Sequence, residues 1–127
     1  MMDTVLSTLA PKAGERVLDA TLGLGGHSAA FLKAISPSGS LTALDADSDN
    51  LAIARRQLDL IAGEGNNREL IHSNFGQLES LEFEPFDIVF ADLGLSSPHL
   101  DDPDRGFSFR FDGPLDLRFD RTTGRTA

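Results

Sequence analysis

Arg16-Val17-Leu18-Asp19-Ala20-Thr21-Leu22-Gly23-Leu24-Gly25-Gly26-His27-Ser28 is a short apolar run that feeds an acid, then a glycine cluster, then a helix-like stretch. A strand tip, a turn of residues lacking Cβ atoms and a helix N-terminus, in that order, let backbone N–H groups approach a ligand closely with a partial positive charge behind them. The stretch therefore predicts a nucleotide-type cofactor site. A dinucleotide fold uses G-x-G-x-x-G, and the frame from Gly23 puts Ser28 where the third glycine should stand. The pattern is instead D-x-T-x-G-x-G-G-H, with an acid four residues before the first glycine. That spacing favours S-adenosyl-L-methionine: Asp19 at the strand tip receives the ligand's ammonium, while Gly23, Gly25 and Gly26 make room for its methionine portion. A second acid is expected about 20 residues on, at the next strand tip, to bind ribose hydroxyls. Asp45 closes the apolar run Leu41-Thr42-Ala43-Leu44 and fits. The competing reading is a glycine turn without a ligand, with Asp45 a helix cap.

Outward from this turn the chain alternates. Val5, Leu6 and Leu9 make a short helix over 4–9, and Pro11 to Gly14 is a turn into the first strand. A helix is predicted over 28–35, stopped by Ser36-Pro37-Ser38-Gly39. Strand 40–45 follows, then a helix over 49–62 with Leu51, Ala54, Leu58 and Ile61 at helical spacing, ended by Gly63-Glu64-Gly65. A strand over 69–72, a helical turn over 77–81 and a fourth strand over 86–91 complete the alternation. Strands alternating with helices predict an α/β fold with a doubly wound parallel sheet, whose ligands sit beyond the carboxyl ends of the strands. Asp19, Asp45, the Asn74-Phe75 pair and Asp92 converge there.

The fourth strand tip carries the second informative segment. Phe86 to Ala91 delivers Asp92, and the polar loop Leu93-Gly94-Leu95-Ser96-Ser97-Pro98-His99 follows. A carboxylate at this tip lies by the reactive end of a cofactor. Methyl transfer to an exocyclic amine needs an acceptor that draws the nitrogen lone pair out of ring conjugation, and positioning does most of the rest. Asp92 is the candidate acceptor, with Ser96 and Ser97 counted at the catalytic end. The loop is a loose relative of the Asp/Asn/Ser-Pro-Pro-aromatic motif of amino-group methyltransferases. The bland alternative is a loop acid bonded to neighbouring backbone N–H groups.

Composition narrows the class. The chain has 127 residues, 40% of them apolar and 24% charged, which indicates a globular domain's worth of chain, short for a complete cofactor-dependent enzyme. No apolar run approaches the roughly 20 residues of a membrane span and no signal peptide opens it, so a cytoplasmic protein is expected. With zero cysteines there is no disulfide, thiolate metal site or thiol nucleophile. Carbon-5 methylation of a pyrimidine commonly needs a thiolate, whereas N4 methylation does not. His27, His72 and His99 lie far apart, and Asp101, Asp102 and Asp104 flank Pro103 in what reads as a polar loop, so no metal is expected. The net charge of −9 argues against a polyanion partner, but it is unevenly placed. Residues 1–98 hold six basic and fourteen acidic side chains, whereas 99–127 hold five arginines and six aspartates. Arginine suits bidentate phosphate contacts, so nucleic acid would meet this end. There Phe107, Phe109 and Phe111 alternate ahead of Phe119, between Arg105, Arg110 and Arg118. Such rings stack a splayed-out base or, more often, pack their own loop.

The segments Asp19 to Ser28, Leu44 to Asp47, Asn74-Phe75, Asp92 to Pro98, Leu100 to Phe109 and Asp112 to Arg118 resemble the MraW-type (RsmH) family over nearly the whole chain. That family methylates N4 of a cytidine in small-subunit ribosomal RNA with S-adenosyl-L-methionine. The resemblance implies a Rossmann-like class I methyltransferase fold. It implies that Gly25, Gly26 and His27 bind the cofactor, Asp45 binds its ribose, Phe75 flanks the adenine and Asp92 stands at the reactive end. His99 takes the place where family members usually have a glutamine contact to the cofactor. The family's full chain is more than twice as long, with a helical insertion and further strands, and its usual His-x-Pro/Ser-Val-Leu-type opening has no counterpart in Met1 to Leu6. The resemblance thus implies a cofactor-binding part over 1–98, and an Arg/Phe/Asp-rich loop over 99–127 leading to the absent insertion. It implies a sheet order 3-2-1-4 whose last strand is an open edge for self-association or a partner. A small-molecule methyltransferase and a non-catalytic cofactor-binding fragment are the other classes in play.

Overall fold

A computed structural model describes residues 1–62, 67–94, 97–107 and 112–124. The chain divides into two compact units, Met1–Asp92 and Leu93–Ala127, whereas the sequence reading placed its boundary after residue 98.

The first unit runs α1 (Met2–Leu9), β1 (Arg16–Asp19), α2 (Gly26–Ile35), β2 (Ser40–Asp45), α3 (Ser48–Ala62), β3 (Asn67–His72), a 3-10 turn (Phe75–Ser80) and β4 (Ile88–Phe90). Its four strands are parallel in the order β3-β2-β1-β4. Because β1, β2 and β3 step one way and β4 returns to the other side of β1, the strand order reverses between β1 and β4. In open α/β sheets that reversal opens the crevice where ligands bind.

The sequence explains why the sheet is buried where it is. Val17, Leu41, Ala43 and Ile88 pack with Phe31, Leu32 and Ile35 of α2 and with Leu51, Ala54 and Leu58 of α3. Each of the larger of these side chains stabilises by about 1.5–3 kcal/mol through burial, and the two alanines by less. Val5, Leu6 and Leu9 bring α1 against the same cluster, and α1 ends where Ala10 adopts φ 44° and its N–H bonds Leu6 O, ahead of Pro11.

Helices α1 and α3 and the 3-10 turn each begin one or two residues earlier than the sequence predicts, and three further boundaries differ for a visible reason. Helix α2 begins at Gly26 rather than Ser28, because Gly25 takes φ 88° and forms the N-cap with no side chain. Strand β3 reaches back to Asn67, since all six of its residues pair with Ser40–Asp45. Strand β4 is only three residues long, matched to Val17, Leu18 and Asp19. Below it Arg16 N donates to Asp87 Oδ2 at 2.8 Å, so a side chain continues the link where the ladder stops.

In the second unit, α4 (Ser97–Asp101) is followed by a 3-10 turn (Pro103–Arg105) that the Asp102 carboxylate caps by accepting from Asp104 N at 2.9 Å. Arg105 is buried and donates to the carbonyls of Arg118 and Phe119, both at 3.1 Å. Arg118 grips Asp116 through two bonds, 2.7 and 2.9 Å, which hold the Asp116 carboxyl down at about 2.

Candidate cofactor site

The glycine turn between β1 and α2 is tied to three strand tips. At its own strand, Asp19 Oδ1 accepts from Thr21 N at 3.0 Å and Oδ2 from Ser28 Oγ at 2.7 Å. At β2, Asp45 Oδ2 accepts from Gly23 N at 2.7 Å, and Leu22 N donates to Leu44 O at 2.8 Å. At β4, Asp92 N donates to Thr21 Oγ1 at 2.6 Å, one step past the backbone bond from Ala20 N to Phe90 O. The turn is therefore held in place before any ligand arrives, which removes an ordering cost from binding.

Asp19 is wholly buried, and its carboxylate faces inward. The sequence reading gave it the ligand's ammonium; the structure commits both oxygens to Thr21 and Ser28. Its role here is to bind the first turn of α2 to the strand tip, beside the positive end of that helix. Burial raises its pKa above the ordinary 3.8, against the lowering effect of the Ser28 and Thr21 bonds.

Asp45 is half-buried, and burial raises its pKa also. Besides Gly23 N it accepts from Asp47 N at 2.8 Å and, at 3.4 Å, from Asn50 Nδ2. A carboxylate offers about four acceptor positions, so one remains for a ligand hydroxyl. It is not the cap of α3: Asp47 Oδ1 accepts from Asp49 N at 2.9 Å and takes that part.

Gly25 needs its missing Cβ for a reason other than ligand room. A Cβ there would lie 3.1 Å from Ala54 Cβ, so the glycine lets α3 close against the turn, and its φ of 88° is one that side chains resist. Gly23 has φ 55° and open surroundings, and Gly26 opens α2 with its N–H at the free helix end. His27 stacks on Phe90 at 4.8 Å, and its Nε2 is buried without a hydrogen-bond partner among the described residues. An orphaned polar atom beside free helix amides suits a polar ligand seated on the turn.

Further along the strand tips, Asn74 accepts from Gly76 N at 2.8 Å and so caps the 3-10 turn that Phe75 opens, leaving the Phe75 ring 49% exposed as an apolar platform. Asp92 is exposed beyond β4.

The remaining expected residues lie in the second unit or outside the described residues. Ser97 opens α4, while Ser96, Phe109, Arg110 and Phe111 fall outside the described residues. His99, expected as a cofactor contact, is 2% exposed, with its ring 5.3 Å from Phe107 and 5.0 Å from Phe119. The ring is enclosed by aromatics rather than presented to a ligand. For Phe107 and Phe119 the structure favours loop packing over base stacking, and Arg105 and Arg118 are engaged inside the same unit. The sequence reading did not single out Thr21, Ser28, Asp47 or Asn50. Only Asp47 carried a local signal, as an acid before Ser48-Asp49 at a helix start.

A parallel sheet with a glycine turn at the reversal point, an acid at the tip of β2 and an exposed acid beyond β4 fits a Rossmann-like methyltransferase domain. The same fold is seen in a putative methyltransferase from Thermoplasma acidophilum, with TM-score 0.58 and 26% identity over 66% of this chain and 35% of that one. The chain belongs to the MraW methylase family, whose model matches residues 1–127. It is 47% identical over 132 residues to ribosomal RNA small subunit methyltransferase H of Thermomicrobium roseum, and 44% identical over 125 residues to the enzyme of that name from Nitratidesulfovibrio vulgaris. The alignments cover 100% and 95% of this chain but only 39% and 34% of those relatives. The cofactor that goes with this family is S-adenosyl-L-methionine.

Proposed function

We propose that the chain forms the cofactor-binding part of an enzyme that transfers a methyl group to N4 of a cytidine in small-subunit ribosomal RNA, in the cytoplasm. Asp45 takes the ribose hydroxyls, Gly25, Gly26 and His27 seat the methionine portion, and the Phe75 face lies along the adenine. S-adenosyl-L-methionine supplies an electrophilic methyl group on sulfur. The chain's own work is to place the amine and relieve it of charge. Asp92 accepts a hydrogen bond from the exocyclic amine, which frees its lone pair from the ring, and stabilises the positive charge that grows on nitrogen. Ser96 and Ser97, which follow Asp92 closely in the chain, are assigned to the catalytic end. His99 packs with Phe107 and Phe119 inside the second unit.

The observation that carries this reading is the three-way pinning of the glycine turn, in a chain matched along its whole length by the family model. The chain spans about a third to two-fifths of its relatives' length, and the outer side of β4 has no partner strand among the described residues. We therefore assign it cofactor binding by itself, with turnover on RNA requiring surface that further chain supplies, and self-association through β4 when that surface is missing. The test is N4-methylcytidine formation on small-subunit RNA and on subunits, by the chain with and without the remainder of a full-length relative. Product only with the remainder supports the assignment. Product from the monomeric chain overturns the division of labour, and cofactor turnover on small molecules alone would move the substrate class.

A further inference from the structure

We propose that Thr21 is a positioning residue, whose hydroxyl fixes the Asp92 backbone, and with it the Asp92 carboxylate, in register with the cofactor turn. The proposal rests on the reading of Asp92 as the group that meets the reacting amine.

The backbone ladder between β1 and β4 ends with Ala20 N donating to Phe90 O at 2.9 Å. One residue later on each chain the strands part, at the reversal of strand order where a ligand enters. The link that continues across this gap is Asp92 N to Thr21 Oγ1, 2.6 Å, between residues 71 apart in sequence. Thr21 itself is anchored: its N–H is held by Asp19 Oδ1, which is locked in turn by Ser28 of α2. The chain of bonds runs from the first turn of α2, through the buried Asp19, to Thr21 and on to Asp92.

Two features make the hydroxyl more than a loop filler. Asp92 is exposed and followed by Leu93 and Gly94, both exposed and neither in a helix or strand, so nothing else described ties down its amide. Placement also matters more here than elsewhere, because a shift of about 1 Å at a reacting group costs on the order of a hundredfold in rate. Thr21 thus acts on the chemistry through Asp92 without touching the cofactor.

The test uses the chain itself, with wild type, Thr21→Val and Thr21→Ser compared. Valine keeps the shape and removes the acceptor; serine keeps the acceptor. Three quantities are read: hydrogen exchange of the Asp92 amide, the response of a carbon-labelled Asp92 carboxylate to added S-adenosyl-L-methionine, and the cofactor's Kd by calorimetry. Thr21→Val is expected to speed Asp92 exchange by about tenfold, the worth of one good hydrogen bond, and to abolish the carboxylate's response, with Kd raised by a smaller factor, because the glycine turn keeps its ties to Asp19 and Asp45. Thr21→Ser restores both. Unchanged Asp92 exchange in Thr21→Val, or a serine variant as impaired as valine, overturns the proposal. If wild type binds no S-adenosyl-L-methionine, the cofactor reading fails instead, and the exchange arm still decides whether Thr21 fixes Asp92. Where a wild-type assembly turns over, Thr21→Val lowers kcat by a larger factor than it raises the cofactor Kd.

Discussion

At Asp45 one carboxylate holds Gly23, Asp47 and Asn50 at once, which changes what its removal does. Asp45→Ala is expected to lose about 1.5–3 kcal/mol of cofactor binding, the usual size for bonds to a charged group, together with thermal stability of the free protein. Loss of stability with unchanged Kd would reduce the residue to a brace. Its raised pKa adds a pH signature. The ionised form accepts the ribose hydroxyls, so affinity falls on acidification at a pH above that of an ordinary aspartate, and Asp45→Asn removes that dependence. The effect on folding has the opposite sign. As pH rises from 3.8 through the raised folded values of Asp19 and Asp45, the unfolded chain gives up its protons first and these two groups lower stability. Asp116 behaves conversely. Its contribution, present above 3.8, is lost as pH falls toward about 2, and the Arg118 amide signal should follow that titration in wild type but not in Asp116→Asn. If Asp92 acts as proposed, Asp92→Asn is expected to lower kcat far more than it raises the cofactor Kd in whatever assembly turns over, because an amide takes up growing positive charge poorly. Equal losses would make Asp92 a cofactor ligand.

Among the elements, α3 is the one whose placement the site depends on most, since it brings Asn50 to Asp45 and Ala54 to Gly25. Asp47→Ala, which removes its cap, is expected to cost about 1 kcal/mol of stability and to weaken cofactor binding with it; thermal unfolding and calorimetry on one sample check both. Gly25→Val should abolish binding by pushing α3 away and straining the turn, and an unchanged Kd would take the turn out of the site. The elements themselves were legible because their signals are local: helical spacing in α3, apolar runs ending in acids for β1 and β2, glycines at the turn. The acids of the site were legible as residue types at strand ends. Their partners were not, since Thr21 and Asp92 meet across 71 residues and Asp45 and Gly23 across 22, through strand pairing that no local pattern encodes. For the same reason Asp19 read as a ligand contact when its environment is Ser28 and Thr21, and His99 read as a site residue when Phe107 and Phe119 enclose it.

On the scale of the molecule, the proposal that RNA catalysis needs more than this chain draws on β4, whose outer side has no partner strand among the described residues, and on alignments that cover 34–39% of the two relatives. Val89, 61% exposed, leaves apolar surface on one face of the sheet at its β4 edge. Sedimentation should show concentration-dependent association that Val89→Lys suppresses; a monomer at all concentrations would show that the edge needs no cover. The net charge of −9 acts in the same direction, since a polyanion approaches only where added surface supplies cations. The groups we propose for cofactor binding, by contrast, lie within Met1–Asp92, where Asp19, Thr21, Gly23, Asp45 and Asp92 are tied together by hydrogen bonds. The most direct measurement is competition calorimetry of the purified chain with S-adenosyl-L-methionine and NAD. Saturable binding of S-adenosyl-L-methionine that NAD fails to displace is the expected result, and NAD binding at least as tightly would contradict the account.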